Sequence, residues 1–216
     1  MEKFSPLLGL GLVLLSGCAT PLNEQLTHLQ KATVCCKHYN EINYEKLNLP
    51  DAKKVEFKPE SPAFNFESGK SFFAAYQLPP FSGPYNVTLH AYPSAGMGDS
   101  TTLRPKILLL DEAFNVTRQI DESNAHIRNS AGKVVMDFFV NKSDRKDYYI
   151  ILHTIPNREN SGITSKVYSP VIIPIGTVVV PIDGKESSRT TYYSPMGILE
   201  LRLSPYKPNV VGQEPY

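Results

Sequence analysis

Cysteine carries the most specific chemistry in this chain. Cys18 closes the run Leu15-Ser16-Gly17-Cys18, in which small residues precede a cysteine after an apolar stretch from Leu7 to Leu15. With Lys3 and the α-amine supplying positive charge ahead of that stretch, this is the layout of a lipoprotein signal peptide. The Cys18 thiol is expected to take a diacylglyceryl group, and cleavage to leave Cys18 at the new N-terminus. Ala19 rather than Asp follows it, so in a Gram-negative cell the destination is the periplasmic face of the outer membrane. Each buried CH₂ of an acyl chain is worth about 0.8 kcal/mol, so several chains on one cysteine make a firm anchor.

The other two cysteines, Cys35 and Cys36, are adjacent. Ordinary disulfides join α-carbons roughly 4.4–6.8 Å apart, whereas a trans peptide holds neighbours near 3.8 Å. A vicinal disulfide, an intermolecular bridge and two reduced thiols are the available states, and an oxidising envelope favours an oxidised one. His38 is the only other soft ligand nearby, too few for a structural zinc site.

Elsewhere catalytic chemistry has little to rest on. The chain has no Gly-x-Ser-x-Gly elbow, His-Glu-x-x-His, phosphate-cradling loop or Cys-x-x-Cys. His28, His38, His90, His126 and His153 are scattered. His90 and His153 both fall on predicted strands, where they could meet, but without a neighbouring Asp or Cys cluster. Asp111, Glu112, Asp121, Asp137 and Glu200 offer carboxyls, with nothing marking two of them as a glycosidase pair. The expectation is a non-enzyme without metal or cofactor. A formal charge of +1 with interspersed signs argues against nucleic acid, and beyond the leader no apolar run reaches the roughly 18 residues of a membrane helix.

Aromatic side chains suggest another chemistry. Twelve tyrosines and ten phenylalanines, with no tryptophan, could stack on the C–H faces of sugar rings while neighbouring polar groups bind hydroxyls. The candidates are Tyr92, at the mouth of a Gly/Ser-rich loop over residues 93–103, and Tyr192-Tyr193 before the last strand. Neighbours on an extended chain point to opposite faces, so one of Tyr192 and Tyr193 should enter the core.

The elements that must hold these residues are mostly strands. Leu22, Leu26, Leu29, Thr33 and Cys36 recur at helical steps, predicting a helical segment within 21–49 that Pro50 ends. Beyond it, 71–78, 85–92, 106–110, 133–140, 148–154 and 198–203 read as strands, with 85–92 alternating strictly. Pro170, Pro174 and Pro181 consign 168–182 to an edge strand or an extended connection. The predicted fold is all-β: a sandwich of jelly-roll or Greek-key type with a short N-terminal helix. It divides into a signal peptide (1–17), a lipidated tether (18–56), the sandwich (57–205) and a loose tail (206–216).

Several segments carry a resemblance. Pro105-Lys106-Ile107-Leu108-Leu109-Leu110-Asp111 followed by Phe114 to Ile120, the preceding Phe73 to Pro79, Tyr148 to Thr154, and Thr190 to Leu203 resemble, in order, segments of the maltose operon periplasmic protein (MalM) family. The resemblance covers roughly residues 70–204. It implies a non-catalytic, periplasm-facing β-sandwich associated with maltose and maltodextrin uptake, with maltodextrin or envelope transport proteins as partners. It supplies no active-site residues. The lipobox and Cys35-Cys36 depart from the plain periplasmic members. The alternative expectation is a structural or assembly lipoprotein that binds protein partners and no sugar.

Overall fold

The computed structural model describes residues 20–95, 100–121, 126–130, 133–154, 161–175 and 178–206. The predicted lipidation site, Cys18, and the tail from residue 207 lie outside them. Helix α1 (Leu22–Lys31) comes first. Then follow β1 (Glu45–Lys46), β2 (Asp51–Phe57), β3 (Ala63–Phe66), β4 (Gly69–Gln77), β5 (Tyr85–Tyr92), β6 (Ser94–Ala95), β7 (Ser100–Leu103) and β8 (Pro105–Leu110). The remainder are β9 (Val116–Ile120), β10 (His126–Ser130), β11 (Lys133–Val140), β12 (Tyr149–Thr154), β13 (Gly162–Ile175), β14 (Val178–Ser194) and β15 (Gly197–Pro205). Among the described residues no helix is long and apolar enough to cross a membrane.

The strands form the expected β-sandwich. One sheet runs β1-β4-β12-β8-β9 with β3 also paired to β4, and a second runs β10-β11-β5-β15-β2. Period-two patterning explains the second sheet. Tyr85, Val87, Leu89 and Ala91 of β5 are buried, as are Val134, Met136, Phe138 and Val140 of β11 and Leu199, Leu201 and Leu203 of β15. They meet Phe72, Tyr76, Ile107, Leu109, Ile150 and Leu152 of the first sheet in one core. Complete burial of each large apolar side chain contributes about 1.5–3 kcal/mol.

The first sheet is covered on both faces, which is why β8 and β12 read as unbroken apolar runs rather than alternating ones. Leu108, Leu110 and Ile151 point away from the main core into a second cluster with Ile42, Phe64, Phe66 and Phe73. The segment that sequence reading assigns to a tether supplies part of this cover. Helix α1 stops at Lys31, short of Thr33 and Cys36, because Val34 bridges to Ala63 and the Cys35 N–H donates to the Ala63 carbonyl at 2.9 Å. Tertiary β-pairing there overrides the helical period. The expected boundary at residue 56 falls inside β2, which pairs with β15 from Asp51 to Phe57. Only Val55 and Phe57 of β2 are buried, and its half-buried Lys53 and exposed Lys54 suit an edge strand while hiding it from pattern reading.

A third sheet runs β13-β14-β7-β6. The loop expected over 93–103 contributes β6 and β7 to it, and residues 168–175 and 178–182 of the proline-broken stretch belong to the antiparallel pair β13 and β14. The register slips between Ser169 and Val171, at Pro170, where the ladder lacks a donor.

Candidate functional site

Among the described residues of β11, β5 and β15, one face enters the core and the other is half-buried to exposed. Alternation places Asn86, Thr88 and His90 of β5 there, beside Asp137 and Phe139 of β11 and Glu200, Arg202 and Ser204 of β15. The register aligns them in rungs: Asp137, Thr88 and Arg202 in one, Val135, His90 and Glu200 in the next, and Phe139, Asn86 and Ser204 at the far end. A depression of about 1010 Å³ is lined by Asn86, Thr88, His90, Asp137, Phe139, Arg202 and Ser204, together with Arg118 of β9, while Glu200 lines a neighbouring depression with Tyr92.

The polar groups are partly tied to one another. The Asn86 amide donates to Thr88 Oγ1 at 3.1 Å. Arg202 donates to Glu200 Oε1 at 2.7 Å through Nε and approaches it at 2.6 Å through Nη2. Tyr92 donates its hydroxyl to Glu200 Oε2 at 2.6 Å. Two buried atoms are left without a hydrogen-bond partner: Asn86 Oδ1 and His90 Nδ1. Burial, then the nearby Lys133 and Arg202 charges, holds the His90 pKa below its ordinary value, so at neutral pH this imidazole is an uncharged hydrogen-bonding group. At the Asn86 end stand two exposed rings, Phe139 (52 %) and Tyr206 (50 %), packed edge to face with centroids 5.8 Å apart. Neutral amide and imidazole groups, an ion pair and exposed rings along one sheet face form a surface suited to a hydroxyl-rich, neutral, elongated ligand.

The sequence candidates are placed unequally. Tyr92 lies on this same face, but its hydroxyl is committed to Glu200 and Lys133 Nζ stands 5.1 Å from its ring centroid. Tyr193 is the buried member of its pair, 8 % exposed with the Arg104 guanidinium 5.4 Å from the ring centroid. Tyr192 is half-buried and pairs with Gly162 and Thr101. Both belong to the third sheet, so the structure does not assemble the three tyrosines into one platform. His90 and His153 also stay apart, on opposite outer faces of the sandwich, since Ile150 and Leu152 enter the main core and His153 faces the other way. Cys35 and Cys36 are bonded to each other, and Cys36 packs against the second cluster. The Phe139–Tyr206 pair escapes a search for motifs. Its one sequence signal is Phe139 itself, an aromatic on the polar side of an alternating strand.

Glu200 gives this face a titration that can be followed. The hydrogen bond from Tyr92, then those from Arg202, hold its pKa below the ordinary carboxylate value. A carboxylate whose folded pKa is depressed contributes stability that is complete above the unfolded value and is lost as pH falls through the folded one. Tyr92→Phe is therefore expected to move the Glu200 midpoint up toward the ordinary range and to shift that acid-side loss to higher pH. Carbon-13 NMR of the Glu200 carboxyl measures this, and an unchanged midpoint would show that the tyrosine contact has no electrostatic role.

Comparison with curated proteins and with solved structures returned no match. The family model for the maltose operon periplasmic protein precursor matches residues 68–201. That span runs from β4 into β15 and carries most of the polar face, while α1, the cysteine pair, β2 and β3 precede it. With more than half of the chain matched, from the strands of the main core to Glu200 on the outer face, the chain belongs to the maltose operon periplasmic protein (MalM) family.

Proposed function

We propose that this is a non-catalytic accessory protein of maltodextrin uptake, anchored by lipid on Cys18 to the periplasmic face of the outer membrane, that binds α-glucan along the outer face of its five-stranded sheet. The observation that carries this reading is the exposed Phe139–Tyr206 pair at the end of a sheet face holding two unpartnered polar atoms, Asn86 Oδ1 and His90 Nδ1. The rings supply stacking surface, while the amide and imidazole, with Arg202 and Glu200 beyond them, meet sugar hydroxyls. Glu200 is a poor general acid, because Tyr92 and Arg202 favour its ionised form, whereas a glycosidase acid needs its pKa raised. Family membership supplies the choice of glucan.

Isothermal titration with maltohexaose and longer glucans tests the proposal directly. Binding is expected to strengthen with chain length up to the span of the face. Phe139→Ala and Arg202→Ala, both at exposed positions, should each weaken it by about tenfold, equivalent to about 1.4 kcal/mol. Absence of heat with every glucan would end the proposal.

One observation favours a different reading, assembly with an envelope protein. The sequence from Val171 to Ile182 is nearly continuously apolar, and its described parts, Val171–Ile175 and Val178–Ile182, pair antiparallel in β13 and β14. Cross-linking in membranes followed by identification of the captured partner separates the two readings.

A further inference from the structure

The opposite side of the molecule holds a smaller cavity that the glucan face does not use. His153 extends the outward row of β12 beyond Ile151, and its ring stacks on Phe66 with centroids 3.9 Å apart and planes 8° from parallel. Next to this pair is a cavity of about 220 Å³, with Phe66, Leu108, Val116 and Tyr39 among its walls. Phe66 and Tyr39 precede the family-matched span, so the cavity is completed by the N-terminal segment.

Two residues lining this cavity each keep a buried polar atom without a hydrogen-bond partner, His153 Nε2 and Ser68 Oγ. The tautomer of His153 follows from its surroundings. Its Nδ1 lies 3.2 Å from the Thr154 carbonyl oxygen, which can only accept, so Nδ1 carries the hydrogen. The ring is 1 % exposed, and burial lowers its pKa to about 3, which keeps the imidazole neutral. Nε2 is therefore a lone-pair acceptor awaiting a donor, and Ser68 can donate or accept. Unmatched buried polar atoms are few in folded proteins because desolvating them is costly, and a molecule that matched both would recover that cost.

Size and charge narrow the class of molecule. The volume equals about seven waters at roughly 30 Å³ each and falls below the ~300 Å³ at which sites for drug-sized ligands begin, so it suits one small ring rather than a chain. Of the ionisable side chains lining it, Glu67 and Lys106 offset each other, and Tyr39 and His153 are neutral, which favours an uncharged guest. Apolar Phe66, Leu108 and Val116 interleaved with the polar Ser68, Gln119 and His153 match a ring with C–H faces and hydroxyl edges. We infer that this cavity binds a single neutral sugar ring, one hydroxyl donating to His153 Nε2 and another meeting Ser68 Oγ. Only the choice of glucose as probe rests on family membership.

The test uses the full chain in detergent with nitrogen-15-labelled histidine, titrated with glucose, glucosamine or glucuronate. Glucose is expected to shift the His153 Nε2 resonance saturably. Ser68→Ala, a substitution in the turn between β3 and β4, should weaken that response about tenfold, and the two charged sugars should give little. No shift at high millimolar glucose would mean that waters alone satisfy these atoms and would overturn the inference. Equal responses in the Ser68 variant, or to glucuronate, would overturn it too. Phe139→Ala and Arg202→Ala should leave the His153 response intact. Loss of glucan binding at the sheet face would then leave this site standing, whereas loss of the His153 response in those variants would refute a separate site.

Discussion

Asp147→Ala should destabilise the protein by about 3–5 kcal/mol, the range measured when one partner of a buried ion pair is removed. The Asp147 carboxylate is 2 % exposed. It accepts from Arg118 Nε at 2.9 Å and from Nη2 at 2.5 Å, and from Thr117 Oγ1 at 2.5 Å. These bonds fasten β9 to the connection between β11 and β12. Arg118 is also held 3.4 Å from Asp144 and lies 5.7 Å from the Phe138 ring centroid. Without Asp147, a partly buried guanidinium and a threonine hydroxyl lose their shared acceptor. The weaker ion pair to Asp144 at 3.4 Å is a poor substitute. Asp147→Asn keeps one acceptor oxygen and should cost less than the alanine variant. Urea unfolding measures the difference as a lower midpoint at unchanged slope. A loss under about 1 kcal/mol for the alanine variant would place this pair with ordinary surface ion pairs.

Truncating Phe72 to alanine is the second large effect, again about 3–5 kcal/mol. Phe72 is 0 % exposed and belongs to the core between the two main sheets. Its loss removes apolar burial and leaves a cavity that strands fixed by ladders on both sides cannot collapse to fill. For a chain of this size the midpoint of thermal unfolding should fall by on the order of 10 °C. Phe73 points the other way, into the cluster under the N-terminal segment. Phe73→Leu, which roughly conserves volume, should cost less than about 1.5 kcal/mol. A Phe72→Ala variant within 1 kcal/mol of the parent would mean that the two sheets repack freely.

The sequence was a good guide wherever burial and local geometry agree. Strand β5 is legible in full because one of its faces is core and the other water, so side chains alternate in polarity. The apolar run of β8 reads as central strand because both of its faces are covered. Strand β2 was hidden, since only two of its seven residues are buried and its pairing to β15 is a long-range event. The helical period runs past the end of helix α1 because Thr33 and Cys36 fit it, while the competing partner, Ala63, lies far along the chain.

The candidate sites show the same division. Residue types alone point to an all-β chain without a catalytic motif and to an expected lipid site at Cys18, and they show a chain rich in tyrosine, because these depend on composition and on neighbours along the chain. Which aromatics remain available is a tertiary outcome. Tyr193 goes under cover, Tyr92 is committed to Glu200, and Phe139 meets Tyr206 in the open. The rungs across β11, β5 and β15, and the cavity that His153 lines with Phe66 and Tyr39, depend on strand register and on where a distant segment lies. Those are settled by long-range burial and hydrogen-bond pairing, which no local pattern encodes.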